Sequence, residues 1–229
     1  MVKRYALNCN ISLTPSEKET ILRLLSKERK NRVASYRFEK DAIQSMLSGL
    51  LLNYILKQEG FGSECNVTYN DYKKPYVDCS GLDHDDFFFN ISHSKDWIVC
   101  GTSTKEIGID IEKISTCHYD IAQRFFHQDE YHELLSRPQE MQAEVFYTYW
   151  TLKESFVKYI GKGIYIPLNE FLIQFPSLQI DASAYTSKPL HLFTQTWEKQ
   201  YQLSLCTEET EVLPVEVLDL DQMLSFFNF

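Results

Sequence analysis

The sequence predicts an α+β protein made of two similar α/β halves that meet near residue 104, and three observations lead there. Short β-rich runs and longer helical runs follow the order strand, helices, strands, and the same order then returns. The chain has 229 residues, 44% of them hydrophobic and 14% aromatic, which is enough to bury a core without disulfides or a structural metal and too apolar for disorder. No stretch rich in Gly, Pro or Ser divides it, so residues 1–104 and 105–229 are expected to pack as one unit.

Residues 3–11 read as the first strand. Thr14-Pro15-Ser16-Glu17 then provides an N-cap, a proline at the first helical position and a capping-box acid, which predicts a helix to about Leu25. From Lys27 to Glu59 good helix formers carry spaced apolar residues until Gly60, predicting two helices or one bent helix. Between Cys65 and Thr104 the pattern changes to β-rich runs over 65–69, 87–92 and 97–100. Ile107-Gly108-Ile109-Asp110-Ile111-Glu112 alternates and predicts a further strand, followed by helices over about 120–135 and 139–160, the second stopped by Gly161-Lys162-Gly163. Strands near 171–175, 190–195 and 201–206 come next, and the last residues form a strand and a short turn.

The first residues reach Asn8 and Asn10 before any apolar run develops, so no signal peptide is expected. The later apolar stretches are too short or too interrupted to span a bilayer, which predicts a cytoplasmic protein without membrane contact. Cys9, Cys65, Cys79, Cys100, Cys117 and Cys206 form no CxxC pair, so neither a zinc site nor a redox motif is signalled and free thiols are expected. A net charge of -9 disfavours nucleic acid as a partner. Against that average stand Lys27, Arg29, Lys30, Arg32, Arg37 and Lys40, a basic cluster that either holds a small polyanion or is a solvated helix face.

Three segments carry chemistry. In Gly108-Ile109-Asp110-Ile111-Glu112 strand alternation sends Ile109 and Ile111 into the core and brings Asp110 and Glu112 out side by side. Adjacent carboxylates repel unless a cation lies between them, and without Cys or His nearby the hard ion Mg²⁺ suits them better than zinc; a wet acidic strand face is the other reading. In Trp150-Thr151-Leu152-Lys153-Glu154-Ser155-Phe156-Val157-Lys158 helical spacing predicts one face carrying Trp150, Lys153, Glu154, Val157 and Lys158. A surface ion pair of Glu154 with Lys158 would explain part of that face equally well. In Phe89-Asn90-Ile91-Ser92-His93-Ser94 polar groups able to contact phosphate follow an aromatic strand, with no nucleophile elbow that would point to a serine hydrolase.

Taken together, these segments resemble the 4′-phosphopantetheinyl transferase superfamily. Its signature is a (V/I)-G-(V/I)-D-x-E strand and, about forty residues later, a (W/F)-(S/C/T)-x-K-E-(S/A)-x-x-K helix, matched here by Ile107–Glu112 and Trp150–Lys158. The Phe89–Ser94 segment, Lys74-Pro75 and the basic helix from Arg29 to Asp41 also resemble the long, monomeric, surfactin-synthetase-activating type. The short trimeric holo-carrier synthases share the chemistry at about half this length. The last fifty or so residues carry no motif.

The resemblance implies a pseudo-twofold 4′-phosphopantetheinyl transferase fold, with the nucleotide side of coenzyme A on residues 1–104 and the metal site and catalytic helix on 105–229. It implies Mg²⁺, or Mn²⁺, on Asp110, Glu112 and Glu154, with Glu154 and Lys158 catalytic and Lys158 and Lys153 at the pyrophosphate. Arg29, Arg32, Arg37, Ser92 and His93 resemble the 3′-phosphate site, and Lys74 and Pro75 the edge that receives adenine. The implied partners are apo carrier proteins of fatty-acid, polyketide or nonribosomal-peptide synthesis, docking on the segment Lys113–Phe126 that contains Ile114, Tyr119 and Ile121. Two positions depart from the subfamily: Gln44 stands where an arginine is usual and Lys73 where a glycine is usual. Either Arg37 or Lys73 compensates, or affinity for the 3′-phosphate is reduced. Metal-dependent phosphohydrolases and nucleases also use acidic triads with lysines, but the spacing between the two motifs argues against them. A coenzyme A-binding or carrier-binding protein without catalysis is disfavoured by the presence of Asp110, Glu112, Glu154 and Lys158.

Overall fold

The chain opens with β1 (Val2–Asn8), α1 (Pro15–Leu24), α2 (Lys27–Ser35) and α3 (Glu39–Gln58), followed by β2 (Asn66–Tyr69), β3 (Pro75–Asp78), β4 (Phe88–Ser94) and β5 (Trp97–Ser103). The second half runs β6 (Ile107–Lys113), α4 (Tyr119–Phe125), α5 (Gln128–Ser136), α6 (Gln139–Ile160), β7 (Leu172–Gln174), β8 (Gln179–Asp181), β9 (His191–Trp197) and β10 (Tyr201–Thr207). The chain then closes with β11 (Val212–Leu218) and α7 (Leu220–Phe226). This computed structural model describes residues 1–62, 65–78 and 87–227.

Two sheets organise the molecule, one mixed and one antiparallel. One has the order β11-β1-β5-β4, the other β6-β10-β9. In the first half the apolar residues of α3, among them Leu47, Leu50, Leu51 and Ile55, pack on Tyr5, Leu7, Ile98 and Cys100 of the first sheet. In the second half Phe146, Tyr149, Leu152 and Phe156 of α6 build a core with Phe126, Leu134, Phe171 and Ile173. A third cluster joins the halves: Val2, Ala6 and Val99 meet Ile107, Ile109, Ile111, Leu203 and Leu205. The alternation expected for β6 is therefore present, with Ile109 and Ile111 fully buried between the sheets.

The capping box read from Thr14 and Glu17 is formed, and α1 begins at Pro15. The basic segment is a separate helix, α2, started by the Ser26 side chain accepting from the Arg29 N–H, so the two-helix alternative holds. The helix expected over 120–135 is broken in two. His127 caps α5 through its side chain and Glu130 answers with a reciprocal bond; histidine is an uncommon cap, so the sequence pattern gave no stop at this point. The chain also differs from the boundary at residue 229 in where its end goes: β11 returns to pair in parallel with β1, adding residues 212–218 to the sheet of the first half. Cys65 is disulfide-bonded rather than free. Pairing depends on which segments the fold places side by side, which sequence spacing does not reveal. Cys9, Cys100, Cys117 and Cys206 are free thiols, and Cys79 lies outside the described residues. Among the described residues no helix is long and apolar enough to cross a membrane.

Gly108 sets the spacing between β6 and α6. A Cβ at this position would lie 2.0 Å from the Ser155 carbonyl oxygen and 2.4 Å from the Tyr159 nitrogen, both rigid helix backbone. Gly108→Ala must push the helix off the strand, and overpacking of this kind costs about 3 kcal/mol or more. Urea denaturation of the variant should show that loss with an unchanged slope; a stability equal to that of the unaltered chain would contradict the packing.

Candidate active site

Where the two halves meet, three pockets run into one another. The first, about 360 Å³, lies between α2, α3 and β4 and is lined by Arg29, Arg32, Gln44, Ser45, Tyr69 and His93. The second, about 330 Å³, contains Ser92, Asp110, Glu112, Trp150, Glu154 and Lys158. The third, about 670 Å³, is mostly apolar, with Phe125, Trp150, Val157, Ile164, Ile166 and Leu168 in its wall. Ile91 and His93 are shared by the first and second, Trp150, Glu154 and Lys158 by the second and third, and Lys73, Pro75 and Asn90 by the first and third. The result is one continuous cleft with a cationic, an acidic and an apolar part, each sharing walls with the other two.

In the cationic part Arg29 and Arg32 are one helical turn apart and project from the same side of α2. Partial burial lowers the Arg29 pKa. His93 is held below its ordinary pKa by burial and then by the ammonium of Lys158, which favours the neutral imidazole. Arg37 stands apart from this group: it is exposed, with its guanidinium over the Phe38 ring, and it does not line the pocket. Lys73 does line the cleft and has φ 68°. That left-handed backbone explains why a glycine suits the position, and it costs lysine about 1 kcal/mol. Of the two residues that could compensate for Gln44, the structure therefore places Lys73 at the cleft and Arg37 outside it.

In the acidic part, β6 presents Asp110 and Glu112 to α6, which presents Glu154 and Lys158 one turn apart. Lys158 Nζ lies 2.7 Å from Asp110 Oδ1, 2.9 Å from Ser92 Oγ and 3.2 Å from the Ile109 carbonyl oxygen. Ser94 Oγ donates to Glu112 Oε2 at 2.7 Å. Burial and the neighbouring carboxylates raise the pKa of both Glu112 and Glu154, the mark of negative charge that the protein does not fully compensate. Asp110 is only 3% exposed, and its Oδ2 is buried without any hydrogen-bond partner. An orphaned carboxylate oxygen beside two further carboxylates, all hard oxygen donors, fits a divalent cation such as Mg²⁺. Among the described residues no three such groups already stand in a metal-holding arrangement; Lys158 occupies the place beside Asp110.

Three expected site residues are placed differently. Lys153 is turned away from the cleft, because on a helix the residue before Glu154 points about 100° to the side. It is fully buried, pairs with Glu130 at 2.8 Å, and donates to the carbonyl oxygens of Leu168 and Phe171. It thus belongs to the core rather than to a pyrophosphate site. Burial lowers its pKa to about 8 and raises that of Glu130, which also accepts from the Ile173 and His127 N–H groups. Lys74 lines the apolar pocket, but its ammonium is tied to Glu106 at 2.6 Å and to the Tyr159 carbonyl oxygen at 2.8 Å, so only its stem and backbone face a ligand. Ser92 belongs to the acidic centre and not to the Arg29 end, since its hydroxyl donates to Asp110. In the segment expected to receive the carrier, Ile114 and Ile121 are partly buried against the second core, while Tyr119 is exposed.

Sequence reasoning missed Asn90, Ser94, Glu106 and Glu130. The alternation Asn90, Ser92, Ser94 was a usable signal for one polar face of β4; the partners of buried lysines had none. The apolar wall of the third pocket was also missed, because Ile164, Ile166 and Leu168 come from short turns without periodicity.

Such a cleft suits a long ligand with a phosphate-rich part and a neutral arm, its charged joint set against carboxylates and a lysine. Comparison with known proteins agrees. Residues 106–206 match the 4′-phosphopantetheinyl transferase superfamily and residues 12–105 match the N-terminal region of 4′-phosphopantetheinyl transferases. The chain is 36% identical to the 4′-phosphopantetheinyl transferase gsp of Aneurinibacillus migulanus, covering 89% of this chain and 85% of that protein. It is 34% identical to psf-1 of Bacillus pumilus, covering 92% and 91%, and 29% identical to Sfp of Bacillus subtilis, covering 90% and 92%. The chain belongs to the 4′-phosphopantetheinyl transferase superfamily.

Proposed function

We propose that this protein transfers 4′-phosphopantetheine from coenzyme A to a serine of an apo carrier protein, with a divalent cation, Mg²⁺ or Mn²⁺, at Asp110, Glu112 and Glu154. The observation that supports this reading is the single cleft in which a cationic, an acidic and an apolar pocket share walls, the three environments that the phosphate, the pyrophosphate and the uncharged arm of coenzyme A require. Arg29, Arg32 and His93 receive the 3′-phosphate, the pyrophosphate lies at Lys158, and the pantetheine arm follows the apolar wall past Trp150. Adenine rests against Pro75 and the backbone of Lys74.

In the reaction a new bond forms between the carrier serine oxygen and the β-phosphorus, and the bond from that phosphorus to the bridging oxygen breaks, releasing adenosine 3′,5′-bisphosphate. Glu154 takes the serine proton, from a position that borders both the acidic and the apolar pocket. Lys158 stabilises the charge that passes to the leaving group, in a setting where partial burial makes such a contact stronger than in water. A bound divalent cation supplies Lewis-acid neutralisation of the phosphoryl oxygens. The carrier approaches over the exposed Tyr119 on α4, the enzyme acts as a monomer, and acyl, peptidyl and aryl carriers are all compatible partners. The setting is cytoplasmic, where coenzyme A is available.

The deciding experiment is intact-mass measurement of an apo carrier after incubation with the protein, coenzyme A and Mg²⁺. The expected result is a gain of one phosphopantetheine that EDTA abolishes and Mg²⁺ restores. No gain with carriers of several types would overturn the proposal, and a gain that persists in EDTA would overturn its metal.

The double substitution Arg29→Ala/Arg32→Ala tests the cationic part. Charge-assisted contacts are each worth about 1.5–3 kcal/mol, so KM for coenzyme A should rise at least about 10-fold. KM for 3′-dephospho-coenzyme A should not change, and an equal rise for both substrates would place the phosphate elsewhere.

A further inference from the structure

The two halves are joined beside the active site by side chains instead of by a continuous sheet. β4 and β6 are edge strands of different sheets. Residues at every second position of β4 share one face, and here they are Asn90, Ser92 and Ser94. Each accepts a hydrogen bond from an alternate N–H of β6: Asn90 Oδ1 from Ile109 at 3.0 Å, Ser92 Oγ from Ile111 at 3.5 Å, and Ser94 Oγ from Lys113 at 3.0 Å. The two serines do something the asparagine does not. Ser92 Oγ donates to Asp110 Oδ1 at 2.8 Å and Ser94 Oγ donates to Glu112 Oε2 at 2.7 Å.

A hydroxyl has one proton and two lone pairs. Ser92 accepts from Lys158 as well as from Ile111, so its single proton is left for Asp110. Ser94 accepts from Lys113, and its proton goes to Glu112. Both serines are buried, so water does not compete for these bonds. The first half thereby sets the orientation of two carboxylates that the second half carries. We infer that Ser94, with Ser92 in the parallel role at Asp110, is a positioning residue that holds Glu112 in its cation-binding orientation. This rests on the reading of Asp110, Glu112 and Glu154 as the divalent-cation site.

Ser94 is the residue to test, because Ser92 also touches Lys158. The measurement is Mn²⁺ affinity of the intact protein, from the electron paramagnetic resonance signal of free Mn²⁺, with no carrier or turnover involved. Loss of a hydrogen bond to a metal ligand typically weakens binding about 10–100-fold, and that is expected for Ser94→Ala. Ser94→Thr keeps the hydroxyl and should restore the affinity. Tyr201→Phe removes a hydrogen bond between the halves, to Asp96 at 3.0 Å, without touching Asp110, Glu112 or Glu154, and should leave Mn²⁺ affinity at the unaltered value. If Ser94→Ala does not fold, Ser94→Cys, of similar size but with a weak S–H donor, replaces it in the comparison. The inference is overturned if the Ser94 variant binds Mn²⁺ like the unaltered protein, or if Tyr201→Phe loses as much affinity as Ser94→Ala. Failure of the unaltered protein to bind Mn²⁺ is a separate result: it overturns the cation site itself and this inference along with it.

Discussion

Glu154→Gln is expected to lower kcat by about 10³-fold while leaving the protein folded. The glutamine keeps the shape of the side chain but cannot accept a proton, and general-base catalysis is typically worth about 10²–10⁴-fold. The residue lines both the acidic pocket and the apolar one, which in the proposed reaction sets it beside the phosphoryl group. Burial and then Asp110 raise its pKa, a sign of negative charge that the neighbouring protein groups leave uncompensated. The substitution therefore removes a base and a cation ligand together. The two contributions separate if kcat is measured against Mn²⁺ concentration: recovery at saturating cation reports the ligand role, and the loss that persists reports the base. A variant retaining nearly full turnover at ordinary Mg²⁺ would remove Glu154 from the mechanism. Thermal unfolding should change little, because among the described residues no side-chain hydrogen bond of Glu154 helps to build the fold.

Lys153→Met should have the opposite profile. The lysine and Glu130 are both fully buried, and removing one partner of such a pair leaves an uncompensated charge at a cost of about 3–5 kcal/mol. In a chain of this size each kcal/mol lowers Tm by about 2–4 °C, so the melting point should fall by roughly 6–20 °C. Adding Glu130→Gln removes the stranded charge while keeping an acceptor for Ile173 or His127, and the double variant should melt above the single one. KM for coenzyme A, measured at a temperature where the variant is folded, should match the unaltered enzyme. A raised KM with an unchanged melting point would return Lys153 to the pyrophosphate.

The contrast between these neighbours marks how far a sequence pattern reaches. The capping box at Thr14 and Glu17, the stop at Gly161 and the alternation in β6 were legible because each depends on residues a few positions apart. The motif around Lys153 and Glu154 was legible as a motif, but not the division of labour within it. Adjacent helical positions point about 100° apart, so one reaches the cleft and the other the core. The basic helix posed the same difficulty: Arg29 and Arg32 enter the pocket, whereas Arg37 falls just beyond the end of α2, where the chain turns outward.

By itself the sequence determined the α+β class and most of the elements, which local periodicity encodes, and its two motifs carried the resemblance to the family; Asp110, Glu112, Glu154 and Lys158, which that resemblance groups, line one pocket. Only the tertiary structure decided that Lys153 and Lys74 are core lysines with Glu130 and Glu106 as partners, that β11 closes the first sheet, and that Ser92 and Ser94 reach the carboxylates of the other half. Each of these depends on groups far apart along the chain, and a side chain's charge says nothing of which distant partner will neutralise it until packing has brought the two together.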